Sequence, residues 1–458
     1  MKYFVKTYGC QFNYSDSERV CAVLENAGLE SARTEKDADL LIFNTCSIKQ
    51  KAEDRVFGLM PKMKEIKKAR RDFLVGITGC MVRKTSTKKS QDLDKLIKMM
   101  PEVDFVFRIE DAPLLPEILA EIRGKKVLSV KKISNMDANS LEKYFHINPK
   151  YSSKFQAFVP IASGCDKFCA YCIVPFARGR ERSRPIKEIL AECEKLVKNG
   201  CKEITLLGQN VDSYGLSFMD REEKRFAELA SGEKIYFTRL LEEIDKLKSR
   251  GLVRVRWTSP HPKDLTDDLI NAVATLRTQM PHIHLPMQSG SNYVLRKMNR
   301  PYTKEHYINL IKKIRSAIPN CSISTDIIVG FCGETKEMFK ETCDLYKEIR
   351  WDMAYSSQYS MRKNTAAHRT MKDDVPEKEK QRRWHELNKI LKKCSLEHNK
   401  FFLKKTVNVL VERCSKGLCE GMSEHFKRVQ FEGGKELVGQ IVPVKITKAL
   451  EWNLIGKL

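Results

Sequence analysis

Three cysteines, Cys165, Cys169 and Cys172, fall within one short stretch, Ser163-Gly164-Cys165-Asp166-Lys167-Phe168-Cys169-Ala170-Tyr171-Cys172. Thiolates at C-x3-C-x2-C spacing can wrap one corner of an iron-sulfur cube, and a [4Fe-4S] cluster has one iron more than this loop has ligands. An iron left open in this way can take the amino and carboxylate groups of S-adenosylmethionine and pass an electron to its sulfonium. The alternatives are a zinc site, which wants a fourth Cys or His at close spacing, or three unrelated buried thiols. No such fourth ligand sits nearby in the sequence.

A second set of cysteines has no local spacing at all. Cys10 follows the strand-like Tyr3-Phe4-Val5-Lys6-Thr7-Tyr8-Gly9, Cys46 follows Leu40-Leu41-Ile42-Phe43-Asn44-Thr45, and Cys80 follows Phe73-Leu74-Val75-Gly76-Ile77-Thr78-Gly79. Between the first two, Ser15-Asp16-Ser17-Glu18 reads as a helix start, with Gly28 as its C-cap. Strands alternating with helices imply a parallel sheet whose strand ends emerge along one edge, where α/β proteins keep their ligands. The three cysteines are therefore expected to converge and to hold a second cluster. Cys21, at an apolar helical position, reads as an ordinary buried thiol.

The elements that position these groups must be carved from 458 residues, enough for two to four domains. No apolar run reaches membrane-spanning length and no secretory signal leads the chain, so a cytoplasmic protein is expected. In a reducing compartment the 15 cysteines imply metal ligands and buried thiols rather than a disulfide framework. The 83 Lys and Arg against 59 Asp and Glu leave a net charge of +24, which favours a polyanionic partner, nucleic acid first.

Residues 124–150 turn polar and lysine-rich without periodicity and read as a linker. A second βα series starts at Phe155, its strands ending before the cysteine loop, Gly208-Gln209-Asn210, Thr258-Ser259-Pro260-His261, Pro286-Met287-Gln288-Ser289-Gly290, Gly330 and Ser360. Helices at Thr303 to Ala317 and Thr335 to Ile349 separate some of them. Six units suit a partial (β/α)6 barrel better than a closed eight-stranded one.

These motifs together resemble the radical-SAM methylthiotransferases over nearly the whole chain. The resemblance rests on Tyr8-Gly9-Cys10-Gln11-x-Asn13, Asn44-Thr45-Cys46, Thr78-Gly79-Cys80, Gly164-Cys165-x3-Cys169-x-Tyr171-Cys172-x2-Pro175 and Arg178-Gly179. It continues through Ser183-Arg184-Pro185, Leu207-Gly208-Gln209-Asn210-Val211, His284-Leu285-Pro286-x-Gln288-Ser289-Gly290-Ser291, Met298-x-Arg300-x-Tyr302, Asp326 to Glu334, and Glu432-Gly433 with Val438-Gly439. Two departures stand out. Ser360-Met361-Arg362-Lys363-Asn364-Thr365 lacks the family's Pro and Gly, leaving that loop's shape open, and Phe12 stands where Met is usual.

The resemblance implies that Cys165, Cys169 and Cys172 hold the cluster that cleaves S-adenosylmethionine and that Cys10, Cys46 and Cys80 hold an auxiliary [4Fe-4S] cluster. It implies cofactor contacts at Tyr171, Gln209, Asn210, Gln288, Asp326, Gly330 and Glu334, with Tyr171 packed on the adenine. For Glu334 a helix N-terminal role is the alternative. The implied reaction places a methylthio group on C2 of N6-(dimethylallyl)adenosine beside the tRNA anticodon. Alternatives are the N6-threonylcarbamoyladenosine substrate and an iron-sulfur RNA-binding regulator without turnover. No catalytic residue beyond the cluster ligands is assigned, and neither the electron donor nor the sulfur donor is named by the sequence.

From Val375 to Leu403 a long basic helix leads into a tail with alternating Val407, Val409, Val411 and Val442, Val444, Ile446, as a small β-barrel requires. The tail resembles a TRAM domain and is expected to grip tRNA, with the lysine-rich segments 62–71 and 125–132 as the alternative RNA site. Cys414 and Cys419 are poorly spaced for zinc. The whole reads as an α/β protein: an N-terminal parallel-sheet domain (1–123), the linker, a radical-SAM barrel (151–393) and a TRAM barrel (394–458). A monomer is expected, with tRNA as partner and no membrane.

Overall fold

The computed structural model describes residues 1–47, 50–82, 98–124, 140–222 and 236–458. Most of the linker expectation and the basic segment 125–132 therefore lie outside the described residues. The chain divides into two compact units: one gathers 1–153, 158–166 and 172–184, the other 154–157, 167–171 and 185–458.

In the first unit, β1 (Lys2–Tyr8), β2 (Glu30–Ser31), β3 (Leu40–Thr45), β4 (Leu74–Gly79) and β5 (Phe105–Val106) form a sheet in the order β2-β1-β3-β4-β5. All four pairings are parallel. β3 is buried along its whole length because helices cover both faces, which explains its unbroken apolar run. The first helix begins at Gln11, a turn earlier than Ser15-Asp16-Ser17-Glu18 suggests. Cys10 is its N-cap and Asn13 closes the capping box, so those four residues lie buried inside the helix. Likewise Ser140–Phe145, within a stretch without sequence periodicity, is a helix whose Tyr144 and Phe145 sit in the apolar core.

The chain then runs through β6 (Gln156–Pro160), β7 (Ala162–Ser163) and β8 (Arg182–Ser183), with β7 and β8 pairing antiparallel across the base of the cysteine loop. Gly164 has φ +86°, and a Cβ there would come 2.1 Å from the Arg180 carbonyl. Only glycine serves at that crossing.

In the second unit, β9 (Glu203–Leu207) and β10 (Arg254–Trp257) are parallel and form a sheet in the order β10-β9-β6. β11 (His282–His284), β12 (Ser322–Val329) and β13 (Met353–Gln358) form a second parallel sheet. The Val255 N–H donates to Thr278 O (2.8 Å), carrying β10 across to the segment before β11. These are the six strands of the sequence pattern. Thr303 and Thr335 cap the helices Lys304–Ala317 and Lys336–Ile349 by accepting from the His306 and Met338 N–H groups.

The helix Glu377–Lys400 leads into β14 (Thr406–Ser415), β15 (Leu418–Ser423), β16 (Arg428–Glu432), β17 (Ile441–Ala449) and β18 (Leu454–Lys457), a closed barrel ordered β14-β15-β16-β18-β17. Val407, Val409, Val411, Val442, Val444 and Ile446 point into its core. Cys414 and Cys419 oppose each other on β14 and β15 and form a disulfide. The expectation of no disulfide framework thus needs one local exception, set by strand register rather than by chain-wide bridging.

The barrel is tied to the preceding βα core by buried cations. Arg254 donates to the Met422 and Asn408 carbonyls (2.9 and 2.6 Å), and Arg256 to the Ser423 carbonyl (2.8 Å) and to Glu203 (3.0 Å). Lys427 pairs with Asp352 (2.7 Å), and Phe426 stacks on His282 at 4.5 Å. Among the described residues no helix is long and apolar enough to cross a membrane.

Candidate active site: two sets of thiols

In the first unit, register decides the site. Tyr8 is opposite Thr45 and Thr45 opposite Gly79, so Cys10, Cys46 and Cys80 leave three neighbouring parallel strands at one edge. Cys46 N–H donates to Tyr8 O (2.8 Å). The motif residues around the thiols turn out to be their scaffold. Asn13 Oδ1 accepts from the Cys10 N–H (3.2 Å) and lies 3.4 Å from its sulfur, and Asn13 Nδ2 donates to Asn44 Oδ1 (3.0 Å). Asn44 Nδ2 returns a bond to Asn13 O (2.7 Å) and another to Ser17 (2.9 Å). A Cβ on Gly9 would strike the Asn13 side chain, and one on Gly79 would come 2.4 Å from Asn44 Oδ1.

Cys46 and Cys80 are buried whereas Cys10 is exposed. A hydrogen bond with Cys46 and the Arg178 guanidinium draw the Cys80 thiol down to about 6 against the cost of its burial. Among the described residues no three His, Cys, Asp or Glu side chains are grouped as one metal ion would need. A cluster does not ask for that, since each thiolate takes its own iron. Three thiols gathered at one strand edge fit such a cluster.

The Cys165 to Cys172 loop divides between the units: Cys165 and Cys172 belong to the first, Cys169 and Tyr171 to the second. Cys165 N–H donates to Gly179 O (3.3 Å). Around Cys169 the backbone is fixed on both sides, Ala170 N–H donating to Met298 O (2.9 Å) and Ala170 O accepting from Ala367 N–H (2.8 Å). Asn299 donates to the Phe168 carbonyl (3.0 Å), holding that residue at φ +47°. Arg300, buried, donates from Nη1 to Cys169 Sγ (3.4 Å), from Nη2 to Pro286 O (3.1 Å) and from Nε to Tyr302 (2.9 Å). Tyr171 meets Phe331 edge-on at 6.4 Å.

The radical SAM superfamily model matches residues 159–346, and the model for the uncharacterized protein family UPF0004 matches residues 2–108. The chain is 40% identical over 460 residues to the tRNA-2-methylthio-N(6)-dimethylallyladenosine synthase of Clostridium tetani, covering 99% of this chain and 96% of that protein. It is 41% identical to the synthase of the same name from Carboxydothermus hydrogenoformans, with 100% and 99% covered, and 39% identical to that of Bacillus subtilis, with 100% and 86% covered.

The chain belongs to the tRNA-2-methylthio-N(6)-dimethylallyladenosine synthase family. It is a radical S-adenosylmethionine enzyme, with [4Fe-4S] and S-adenosylmethionine as cofactors. Its fold is similar to that of the radical S-adenosylmethionine methyltransferase TsrM from Kitasatospora setae, at TM-score 0.52 and 13% identity over 80% of this chain and 74% of that one.

Within the synthase, the residues expected to touch S-adenosylmethionine lie at or near strand ends of the second unit, but they are not equally free. Asn210 is committed to Ser213 (2.6 Å) and Asp264 (3.2 Å). Glu334 accepts from the Gly330 N–H (2.6 Å) and pairs with Arg383 (2.7 Å), closing its own turn; Gly330 sits at φ +71°. Gln288, at φ +72°, bridges strands by donating to Asp326 O (2.8 Å) and accepting from Ile328 N–H (2.9 Å). Asp326 is the open one: its side chain is 42% exposed, beside His284 (3.3 Å) and opposite Tyr355 in register.

Gln209 Oε1, Asp212 Oδ1, His261 Nε2 and Glu334 Oε1 are among the buried polar atoms of the second unit that have no protein hydrogen-bond partner. His261 accepts from the Lys263 N–H at Nδ1 (3.2 Å), which leaves Nε2–H as an unspent donor, and burial pulls its pKa down to about 2. His261, Arg300, Asn13 and Asn44 stand in motifs visible in the sequence, yet nothing in the sequence alone gives them a role. Their partners are remote along the chain, and only strand pairing brings them together.

Proposed function

We infer that this protein adds the methylthio group to C2 of N6-(dimethylallyl)adenosine next to the tRNA anticodon. The observation that carries the reading is the provision of two separate thiol sets, Cys10, Cys46 and Cys80 beyond the ends of three neighbouring parallel strands and Cys165, Cys169 and Cys172 on one loop, with Arg300 donating to Cys169. Cys165, Cys169 and Cys172 would hold the cluster that binds and reductively cleaves S-adenosylmethionine, and Cys10, Cys46 and Cys80 the one that supplies sulfur. This chain's part is positioning and exclusion of water. Tyr171 supplies a half-buried ring for the adenine, Asp326 an open carboxylate, and Gln209 and His261 an acceptor and a donor with no protein partner.

Residues 1–123 form the auxiliary-cluster domain, 124–150 the connector, 151–393 the radical-SAM core and 394–458 the tRNA-gripping barrel. The enzyme works as a cytoplasmic monomer on tRNA. Mass spectrometry of tRNA nucleosides from cells with and without the gene tests this. The methylthiolated nucleoside should vanish on deletion and its N6-(dimethylallyl) precursor accumulate; accumulation of N6-threonylcarbamoyladenosine instead would reassign the substrate.

A further inference from the structure

Alternate residues of a strand share one face, and on one face of the β11-β12-β13 sheet the register sets His284 opposite Ser324 and Asp326 opposite Tyr355. Three contacts join these residues into a chain. His282 Nε2 lies 3.0 Å from Ser324 Oγ, the same oxygen lies 3.0 Å from His284 Nδ1, and His284 Nε2 lies 3.3 Å from Asp326 Oδ2. A carboxylate only accepts, so neutral His284 carries its proton on Nε2 and takes the Ser324 hydroxyl proton at Nδ1. Ser324 has one proton to give and therefore accepts from His282 Nε2–H. The chain runs in one direction and ends on Asp326.

Its far end is open. The Asp326 side chain is 42% exposed at mid-strand, between the buried Thr325 and Ile327, and Tyr355 beside it is 45% exposed, with its ring 5.9 Å from that of His284. Strand-centre side chains of a βα barrel normally fill its interior, so an aimed carboxylate and a bare ring there face a ligand. The reaction brings two adenosines to the enzyme, and Tyr171 by the cysteine loop is the ring for the cofactor's. Phe426, which stacks on His282 at the start of the chain, comes from the turn between β15 and β16 of the tRNA-gripping barrel, so this face adjoins the RNA side. With one substituent on N6, the N6–H is the hydrogen-bond donor left on an adenine edge that otherwise offers acceptors. Holding it leaves C2 free to react.

We propose that Asp326 accepts the N6–H of the substrate adenosine and that His284 is a positioning residue, which aims that carboxylate through the chain from His282 and Ser324. The inference rests on the substrate named under Proposed function, and it gives Asp326 to the substrate base in place of the cofactor contact that the resemblance implies.

The test uses the cluster-loaded full chain and two anticodon stem-loop RNAs, one carrying N6-(dimethylallyl)adenosine and one with oxygen in place of its N6–H. Methylthiolation of the first by the parent is checked beforehand. Its absence would remove the substrate reading, whereas everything measured afterwards bears on Asp326 alone. Binding is then titrated with S-adenosylhomocysteine present, so that no turnover occurs. The parent should bind the N6–H loop about tenfold or more tightly than the oxygen loop. Asp326→Asn, whose amide donates to that oxygen, should erase or reverse the preference. His284→Phe, which keeps a ring against Tyr355 and leaves Asp326 unaimed, should shrink it; if that variant fails to fold, Ser324→Ala breaks the same chain and should shrink it likewise. A parent without preference, or a full preference in Asp326→Asn or in the folded chain variant, would overturn the proposal. Weaker S-adenosylhomocysteine binding by Asp326→Asn with the preference intact would return the carboxylate to the cofactor.

Discussion

Arg300 Nη1 lies 3.4 Å from Cys169 Sγ while Nη2 of the same guanidinium holds the Pro286 carbonyl at 3.1 Å. One buried side chain thus ties a thiol of the cysteine loop to the segment that follows β11. A hydrogen bond to a charged partner is worth ~1.5–3 kcal/mol, and ~1.4 kcal/mol is a factor of ten. Arg300→Met is therefore expected to lower S-adenosylmethionine cleavage by about tenfold or more, with Arg300→Lys restoring part of it. Release of 5′-deoxyadenosine measures this, and an unchanged rate in Arg300→Met would show the contact to be incidental.

The two thiol sets should separate by function. Cys169→Ala is expected to abolish S-adenosylmethionine cleavage, since a cluster with one of three thiolates missing is unsupported. Cys46→Ala should cleave S-adenosylmethionine and yet leave tRNA without the methylthio group. Iron content, 5′-deoxyadenosine and modified nucleosides are followed together; normal methylthiolation by Cys46→Ala would defeat the two-cluster assignment.

The tail's role in RNA binding is better tested by point variants than by truncation. From sequence, a core cut before Lys405 would be expected to stand alone, but Arg254 and Arg256 are buried and spend their guanidiniums on tail carbonyls. Cutting the tail away removes those acceptors and uncovers the core face on which the barrel packs, so the truncated chain should unfold more readily than the full chain. Lys445 and Lys457 are exposed cross-strand neighbours, Lys448 is exposed nearby, and Trp452 offers an exposed ring in the turn between their strands. Replacing the three lysines by Gln should lower the salt dependence of tRNA binding by ~0.7–0.9 in log-log slope per lost phosphate contact. An unchanged slope would shift the grip to the helix Met60–Ala69 or to residues 125–132.

Mild acid should loosen the second unit. Burial lowers the pKa of His261 to about 2 and of His282 well below the ordinary value, so both are neutral when folded. The unfolded chain binds those protons near pH ~6.5. The stability they contribute is complete above that value and declines as pH falls through it, by up to ~1.4 kcal/mol per pH unit for each histidine that stays neutral when folded. Urea unfolding at pH 7, 6 and 5 should show the decline, and His282→Phe should reduce its slope while keeping a ring against Phe426. Stability independent of pH over that range would contradict the assignment.

The thiols were legible in the sequence because each sits one or two residues beyond an apolar run, and parallel pairing leaves little freedom in where such residues emerge. Arg178 and Arg300 were not, because their partners are set by packing. Nor was the loop at Ser360 to Thr365, where the family's Gly is missing. Asn364 takes φ +75° there, a conformation Asn tolerates better than most residues, and Thr365 then caps the helix Ala366–Thr370. The next residue but one, Ala367, donates to Ala170 beside Cys169, so the substituted loop still supports the cysteine loop. Asn210 and Glu334 were visible as motif residues, but their side chains are committed within the protein, Asn210 to Ser213 and Asp264 and Glu334 to Gly330 and Arg383.

The first unit is not a contiguous piece of chain: it is completed by residues 158–166 and 172–184. During synthesis, which proceeds from the N-terminus, the β1 to β5 sheet therefore emerges long before the arginine that neutralises its buried Asp16. Until residue 178 has left the ribosome, Asp16 lacks the guanidinium that pairs with it in the finished fold. The first unit is therefore completed only once the cysteine loop, which precedes Arg178 along the chain, has also been made.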